Sequence, residues 1–476
     1  MTAPRQHHNV TLAVLAVSAL SYALLQTMVA PALPAIQAEL DTSTTAVTWV
    51  LTVYLLTASI ATPVLGRLGD IFGKERMLVA VLCVFALGSL VAALSHSIEM
   101  LVAGRAIQGA GGAIFPLAFG IIRDEFPAER VATGIGLISA TFGVGGGAGL
   151  VLSGLIVDHF SYEWIFWFGF AVVVLAIVAT HLWVPESPVK APARIDFVGA
   201  ALLSAGLVCL LLGLSEGGNW GWGSPEIVGL FAAAVAILAV WVWFEGRIPQ
   251  PLVDIGLLRK RAVWTTNLTA FLTGWGMFGS FILIPQFVQT PESAGYGFGA
   301  DVTGAGLFLL PSAVVMLVAG PLAGMLAGRV GSKVPLVIGT AATALSFAML
   351  AIAHSEPWHV IAGVTLLGLG IGMSFASMAN IIVEAVPQAQ TGEATGMNTI
   401  MRTIGGAFGG QIAAVIIAEH VTAGSAFPSE SGFTTAFAVG AIALALALAA
   451  AAGIPGRRRP TPAGVTGQPS EARAGV

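Results

Sequence analysis

Apolar stretches separated by short polar segments follow one another along almost the whole chain of 476 residues. Fourteen of these stretches are long enough to cross the hydrocarbon core of a bilayer, which takes about 20 residues of helix. They are 10–36, 46–66, 77–95, 98–122, 131–157, 163–184, 196–214, 226–245, 262–289, 301–328, 335–353, 358–383, 395–418 and 433–453. We expect each to be an α-helix, because an open strand would leave its backbone groups unpaired in lipid.

Composition favours a membrane protein over a soluble one. Hydrophobic residues make up 56% of the chain and charged residues only 9%, whereas soluble domains are about 25% charged. The first stretch is too long for the apolar region of a cleaved signal peptide, so we expect it to remain as a span. The basic residues form no continuous face, which argues against nucleic acid as a partner. The chain is therefore predicted to be an integral protein of the plasma (inner) membrane, surrounded by the lipid bilayer.

The basic residues also predict an orientation. If both termini are cytoplasmic, eighteen of the 20 lysines and arginines fall in cytoplasmic loops or tails, and none falls in an external connection. This distribution is the one that the positive-inside rule describes. The two exceptions, Arg105 and Arg402, fall inside the fourth and thirteenth spans.

The chain contains an internal repeat. The pair Gly66 and Gly73 recurs as Gly324 and Gly331. Two related halves around a central path are typical of transporters. The predicted organisation is a cytoplasmic tail at 1–9, a six-helix bundle at 10–185, two extra helices with their loops at 186–261, a second six-helix bundle at 262–455 and a disordered cytoplasmic tail at 456–476.

The segment GRLGDIFGKER at 66–76 concentrates charge in a chain that has little of it. Its charged residues are Arg67, Asp70, Lys74, Glu75 and Arg76, set among three glycines. A charged cytoplasmic loop ordinarily serves as a topology signal. The glycines additionally permit a tight turn and a close approach of helices. A carboxylate between them could either cap the N-terminus of a neighbouring helix or pair with a basic residue.

The pattern G-x-L-G-D-x-x-G-K-x-R in this segment resembles the signature loop of the major facilitator superfamily. Three further segments resemble motifs of that superfamily, namely GRAIQGAGGAIFP at 104–116, WIFWFGF at 164–170 and ATGMNTIMRTIGGAFGG at 394–410. The resemblance covers roughly 10–455 and is to the fourteen-helix drug:proton antiporter branch. It implies an all-α membrane fold of two six-helix bundles plus two extra central helices, with transport by alternating access.

The resemblance also implies that the loop around Asp70 is a cytoplasmic gate, which holds the outward-open state and must break for inward opening. The candidate gate residues are Gly66, Asp70, Gly73, Lys74, Arg76, Arg123 and Asp124. We expect Asp70 to pair with Arg123. We expect Arg76 to pair with Asp124 or Glu125, because all of these residues lie at the same membrane face.

Arg105 is the most informative residue inside a span, because an arginine at bilayer depth costs at least about 2.5–3.5 kcal/mol and rarely faces lipid. Gln108, Gly109 and Gly112 follow it at helical spacing, and we expect this face to line a central cavity. The alternative is a structural arginine that binds backbone carbonyls. The resemblance assigns this arginine to proton coupling.

Arg402 has a similar setting in the second half, with Asn398, Gly405 and Gly409 on the same helix face. That face either lines the cavity or packs against another helix. Gln26 and Tyr54 are further candidates for the cavity wall. The glycines expected to allow close helix packing are Gly109, Gly112, Gly143, Gly147, Gly149, Gly405 and Gly409.

Acidic residues are scarce in the predicted spans, and none lies at mid-depth. Members of the resembled branch usually carry an aspartate in the first span, where this chain has Gln26. The candidate proton carriers are instead Glu125 and Glu384, near the cytoplasmic face. A cavity with two arginines and no acid would suit neutral or anionic amphipathic substrates better than cationic ones.

The leading hypothesis is secondary-active, proton-coupled efflux of small amphipathic compounds of the drug or antibiotic type. An uncoupled facilitator or a specific metabolite exporter of the same fold is the alternative, and a polytopic membrane enzyme or sensor is a more remote one. The chain has no HExxH motif, no GxSxG in a suitable turn and no Walker loop, so we expect no enzymatic activity. We expect no cofactor and no metal, and we interpret Cys83 and Cys209 as small buried hydrophobes.

Overall fold

The computed structural model of the protein describes residues 8–190, 195–421 and 427–455. The expected C-terminal tail at 456–476 and residues 1–7 of the expected N-terminal tail lie outside this part of the chain. The α-helices are α1 His8–Glu39, α2 Thr44–Phe72, α3 Lys74–Ala93, α4 Ile98–Gln108, α5 Ile114–Glu125, α6 Ala128–His159, α7 Glu163–Trp183, α8 Phe197–Trp220, α9 Pro225–Glu245, α10 Ile255–Leu258, α11 Arg261–Gln289, α12 Val302–Val330, α13 Lys333–Ile352, α14 Pro357–Ala385, α15 Thr391–Glu419 and α16 Glu430–Ala452.

The prediction of fourteen membrane spans is confirmed for the described residues. Fourteen helical segments are long and apolar enough to cross a membrane. Helices α4 and α5 form one of these segments together with the 3-10 turn Gly109–Ala113 that joins them. The short helix α10 lies between spans and is not one of them.

Capping side chains fix where several of these helices begin. Ser43 accepts a hydrogen bond from the backbone N–H of Ala46 at the start of α2 (3.1 Å). Asp196 does the same for Gly199 at the start of α8 (2.8 Å). Each cap satisfies an N–H group that has no partner within the helix, so the polar residue marks the end of the apolar span.

The internal repeat appears in two corresponding turns. Helix α2 ends at Gly73 with φ of 118°, and α12 ends at Gly331 with φ of 88°. The N–H of each glycine closes the last helical turn, on the carbonyls of Gly69 (3.0 Å) and Ala327 (2.9 Å). Positive φ of this kind favours glycine. Both halves therefore turn the chain in the same way between their second and third spans.

Two pairs of helices bring the halves together. Helix α6 packs against α12, and α2 packs against α15. The extra helices α8 and α9 pack against each other, and α8 also contacts both α2 and α15. We call the face of the bundle at which α1 begins and α16 ends the terminal face, and the opposite face the distal face.

One predicted span is too short, and one expectation about a single residue is wrong. Helix α8 continues to Trp220, well past the predicted end of its span, because the polar sequence SEGGNW does not interrupt the backbone hydrogen bonds. Glu216 therefore belongs to the helix and is buried, with 2% of its surface exposed. Cys83, expected to be buried, lies on the exposed side of α3.

Candidate transport cavity and gate

A cavity of about 480 Å³ lies between the two halves. This volume is in the range of small-molecule sites. The residues that line it sit at the middle of their helices or nearer the distal face. They are Gln26, Thr27, Ala30, Thr48, Leu51, Thr52, Tyr54, Leu55, Leu56, Phe142, Gly146, Leu150, Leu211, Ser215, Phe278, Phe281, Ile282, Pro285, Leu309, Thr403, Gly406, Ala407, Gly410 and Gln411.

The wall of the cavity is apolar and uncharged. Among the described residues that line it, none is acidic or basic. Aromatic surface comes from Phe142, Phe278 and Phe281, and polar groups come from threonine, serine, glutamine and one tyrosine. Gln26 and Tyr54, expected in the wall, both belong to it. The Gln26 side-chain oxygen is buried without a hydrogen-bond partner among the described residues. The wall is therefore mostly apolar, with a few neutral polar side chains and one unused acceptor just beneath its surface.

Arg105 lies behind this wall and does not line it. Its side chain is fully buried, and the guanidinium carbon lies 3.9 Å from the centre of the Tyr54 ring. It donates to the backbone carbonyl of Val50 (3.1 Å) and to the Gln108 side-chain oxygen (2.7 Å). Gln108 in turn donates to Ser89 Oγ (2.8 Å). The expectation that Arg105 and Gln108 face the cavity is thus wrong in this conformation, since both turn toward α2 and α3.

Arg402 lies between the halves, in a small recess that shares Phe142 with the cavity. Its guanidinium carbon lies 4.2 Å from the centre of the Phe375 ring and 5.8 Å from that of Phe142. These are cation–π distances. Asn398, one turn earlier on α15, also lines the recess and donates to the side chain of Asn267 (3.0 Å). Both arginines therefore lie within one layer of aromatic rings from an uncharged cavity.

On the terminal side of the cavity the two halves are joined through Asp70. Its carboxylate is fully buried and accepts from the backbone N–H groups of Gly392 (3.3 Å) and Glu393 (3.1 Å), in the first turn of α15. Lys74 lies 3.5 Å away. The expected pair with Arg123 is therefore a wrong prediction. Asp70 instead caps the N-terminus of a helix in the other half, where unpaired N–H groups favour a negative charge.

Arg123 binds the other end of the short connection between α14 and α15. It donates to the backbone carbonyls of Val386 (2.7 Å) and Pro387 (3.2 Å), where α14 ends. It also donates to Thr391 Oγ1 (2.7 Å). Carbonyls at a helix C-terminus lack partners within the helix and favour a positive charge. Arg123 thus joins the halves through two backbone carbonyls and one side-chain hydroxyl, and not through Asp70.

The remaining basic and acidic residues of the gate form ion pairs. Lys74, fully buried, lies 2.6 Å from Asp124, which also accepts from Ser187 Oγ. Arg76 is mostly exposed and lies 3.3 Å from Glu186. The expected pairing of Arg76 with Asp124 or Glu125 is wrong, because Lys74 takes Asp124 and the loop after α7 supplies Glu186.

Glu393 is a gate residue that the sequence did not reveal. Its carboxylate is buried, lies 3.2 Å from Arg67 and accepts from the backbone N–H of Asp254 (2.6 Å). The pair with Arg67 crosses between the halves, and the bond to Asp254 ties in the segment that follows α9. The available signal was an acid in the first helical turn of α15, but the predicted span began two residues later.

The two candidate proton carriers lie at the terminal face, away from the cavity wall. Glu125 ends α5 and is half-buried. Glu384 is exposed and accepts from Ser332 Oγ (3.0 Å). Among the described residues, no group of three or more His, Cys, Asp or Glu side chains is arranged to hold a metal ion.

Glycines allow the helices around the cavity to approach one another closely. A methyl group at any of the seven predicted packing glycines would collide with a neighbouring helix. Gly109 and Gly112 face α2; Gly143 and Gly147 face α12; Gly149 faces α1; Gly405 and Gly409 face α11. Gly66 is equally tight, since an added Cβ would lie 2.7 Å from the carbonyl oxygen of Gly392.

The sequence model of the Major Facilitator Superfamily matches residues 15–410 and 291–474. The fourteen spans, the related turns and the two-part bundle agree with that match. The chain therefore belongs to the Major Facilitator Superfamily, as its motifs indicated, and its family and fold are those of membrane transporters.

Relatives of the chain are named for drug resistance, export or multidrug transport. It is 30% identical over 424 residues to the tetracenomycin C resistance and export protein of Streptomyces glaucescens, covering 88% of this chain and 77% of the relative. It is 28% identical over 373 residues to the multidrug transporter protein MdtP of Bacillus subtilis, covering 78% and 68%. The crystal structure of the human organic anion transporter TETRAN shares the fold, with a TM-score of 0.66, 17% identity and coverage of 93% and 99%.

Proposed function

We propose that the protein exports small neutral or anionic amphipathic compounds across the plasma membrane by proton-coupled alternating access, with both termini in the cytoplasm. The observation that carries this proposal is an uncharged cavity of about 480 Å³ next to a charged gate that crosses both halves. The terminal face is then cytoplasmic, in line with the distribution of lysines and arginines. The conformation described here is the outward-facing one, with its gate closed.

The substrate class follows from the charges around the cavity. A cationic drug would need a buried acid as its partner, and none of the described lining residues is acidic. Arg402 and Arg105 lie behind Phe142 and Tyr54, and their positive field extends into a site of low dielectric. An aromatic anion or a neutral compound with a polar edge therefore fits better than a cation. The Gln26 side chain belongs to the wall and its oxygen has no partner among the described residues, so a small side-chain rotation would let it accept from a hydroxyl or amide of the substrate.

The named relatives support export of such compounds. Resistance to tetracenomycin C and its export are ascribed to one relative of 30% identity, and multidrug transport to another. We propose tetracenomycin C as the first compound to test. A specific metabolite exporter differs from a multidrug exporter only in its range of substrates, so transport assays with a panel of compounds distinguish the two.

Proton coupling requires a group that titrates during the cycle. Glu125 and Glu384 are candidates because they lie at the proposed cytoplasmic face. Glu393 is a third, because its carboxylate is buried and paired with Arg67 of the other half only while the gate is closed. Separation of the halves would part this carboxylate from its cation and expose it to water, so its surroundings differ between the closed and the open gate.

Everted membrane vesicles and a pH-sensitive dye test both parts of the proposal. Tetracenomycin C, the anion anilinonaphthalene sulfonate and the cation ethidium are added in turn to an imposed proton gradient. We expect the first two to release protons from the vesicles, and ethidium to have little effect. Arg402→Gln should abolish the response to the anion, and Arg402→Lys should retain part of it. A response to ethidium alone would refute the substrate class.

An uncoupled facilitator is the competing reading, because the cavity wall lacks a carboxylate. It predicts flux of tetracenomycin C along its own gradient with no movement of protons. Glu393→Gln, Glu125→Gln and Glu384→Gln are compared in the same vesicles. Loss of proton movement in one of them identifies the carrier, whereas unchanged proton movement in all three excludes these carboxylates.

A further inference from the structure

The helix pairs α6–α12 and α2–α15, which join the halves, differ in how closely the two helices pack along their length. Helices α6 and α12 lie close to each other both near the terminal face and nearer the distal face. Gly324 of α12 packs on the backbone of α6 near the terminal face, and Gly147 of α6 packs on Ala313 of α12 nearer the distal face. An added Cβ on Gly136 would lie 2.5 Å from the carbonyl oxygen of Gly320, between these two points. These two helices therefore stay close together from one end of their contact to the other.

Helices α2 and α15 approach closely only near the terminal face. Gly66 packs on Gly392 there, and a Cβ added to Gly396 would lie 3.2 Å from the Cα atom of Pro63. Farther toward the distal face, Thr52 of α2 and residues such as Thr403 and Ala407 of α15 line the cavity. The two helices therefore diverge around the cavity on this side.

Helix α8 lies over that divergence. Leu211 and Ser215, one turn apart, line the cavity, and Ser215 Oγ lies 3.0 Å from Thr52 Oγ1 of α2. The leucines of α8 belong to a hydrophobic cluster that spans both halves; its buried residues include Leu203, Leu207, Leu211 and Leu214 of α8, Leu56 of α2, and Met397, Ile400 and Ile404 of α15. One extra helix thus contacts α2 and α15 and supplies part of the cavity surface.

We propose that the face of α8 carrying Leu211 and Ser215 is a substrate-contacting wall that helps to set which compounds are exported. The inference rests on the proposed transport function. The Leu211 side chain limits the width of the cavity on this side, and the Ser215 hydroxyl offers a hydrogen bond once it leaves Thr52. The bond between Ser215 and Thr52 joins two neutral hydroxyls, so a hydroxyl or carbonyl group of a substrate can replace either partner.

Thiol labelling tests the placement without requiring transport. In a background with Cys83→Ser and Cys209→Ser, single cysteines are introduced as Ser215→Cys, Thr403→Cys and Leu212→Cys. Thr403 lines the cavity from the second half, and Leu212 is the matched control on α8 that is absent from its wall. A membrane-impermeant thiol reagent is added from the distal side, with and without tetracenomycin C.

We expect Ser215→Cys to react within about tenfold of the rate of Thr403→Cys, and Leu212→Cys to react far more slowly. Tetracenomycin C should slow both cavity positions at least fivefold. Protection at Thr403→Cys alone would overturn the inference and leave the proposed function intact. If tetracenomycin C protects neither position, the result counts against this compound as a substrate, and the labelling rates measured without it then test the placement of α8. Labelling of Ser215→Cys as slow as that of Leu212→Cys would overturn the proposal that α8 forms part of the cavity wall.

Selectivity provides the second readout. Leu211→Ala should widen the cavity and raise the transport of tetracenomycin C relative to the smaller anilinonaphthalene sulfonate at least threefold, and Leu211→Phe should have the opposite effect. Leu212→Ala and Leu212→Phe are the matched controls. An unchanged ratio in both Leu211 variants, with protein at normal levels in the membrane, would overturn a role for α8 in selectivity.

Discussion

Asp70→Asn tests the gate most directly, because the carboxylate caps α15 from the other half. Two of its contacts, to the N–H groups of Gly392 and Glu393, cross between the halves and are lost on opening. Its contact with Lys74 lies within one half and is present in both states, so it cancels. Lys74 keeps Asp124 at 2.6 Å in the variant, so no buried cation is left unpaired. We therefore expect the variant to fold.

The magnitude follows from the two crossing bonds. A hydrogen bond to a charged group contributes about 1.5–3 kcal/mol, and the asparagine oxygen can still accept one neutral bond of about 1 kcal/mol. The NH₂ group of the asparagine would face the second backbone N–H, and no hydrogen bond forms between two donors. The closed gate should therefore lose about 2–5 kcal/mol relative to the open one, which is a shift of roughly 30- to 4,000-fold in their ratio.

Cysteine accessibility measures this shift. Thr399→Cys lines the recess on the terminal side of the cavity, and Thr403→Cys lines the cavity itself. With Asp70→Asn, labelling of Thr399→Cys from the terminal face should rise at least tenfold, and labelling of Thr403→Cys from the distal face should fall. Asp158→Asn, an exposed aspartate at the distal face, is the matched control. Unchanged rates at both reporters, together with lost transport, would refute the reasoning.

Three further changes probe the same architecture. Arg123→Gln removes charge from the carbonyls at the end of α14 and should open the gate in the same labelling assay, with rates near those of Asp70→Asn. Gly66→Ala places a methyl against the carbonyl of Gly392 and should hinder closure at a cost of about 1–3 kcal/mol, while Gly229→Ala, which meets no neighbour, should leave transport and labelling unchanged. Arg105→Lys replaces the planar guanidinium, two of whose nitrogens bind the Val50 carbonyl and Gln108, by a single ammonium that cannot stack on Tyr54 in the same way. It should lower the initial transport rate at least tenfold without lowering the amount of folded protein in detergent.

The spans were predictable because each is a long apolar segment, and hydropathy reports on exactly that property of the chain. The error at α8 has the same origin. The sequence SEGGNW at 215–220 is polar, but its backbone continues the helix, and Glu216 finds Asn219 as a hydrogen-bond partner (3.1 Å). A polar helix end inside a packed bundle cannot be told from a loop by composition alone.

The location of the gate was predictable from the sequence, but its hydrogen bonds and ion pairs were not. Charge and glycine at 66–76 identified the segment, and membrane topology brought Arg123 to the same face. Most of the contacts that Asp70 and Arg123 make across the halves, however, are to backbone groups, and backbone groups carry no sequence signature. Arg105 shows the same limitation, since the carbonyl of Val50 that turns it away from the cavity is also a backbone group.

The backbone partners of the gate have a common physical basis. The connection 386–391 joins the C-terminal end of α14 to the N-terminal end of α15, so it presents unpaired carbonyls on one side and unpaired N–H groups on the other. Arg123 binds the carbonyls, and Asp70 binds the N–H groups. Each charge meets the end of a helix whose dipole favours it. Exchange of the two signs would place each charge against the wrong helix end. The double variant Asp70→Arg and Arg123→Asp should therefore fail to close the gate in the labelling assay, whereas a gate held by an ion pair between these two residues would stay closed.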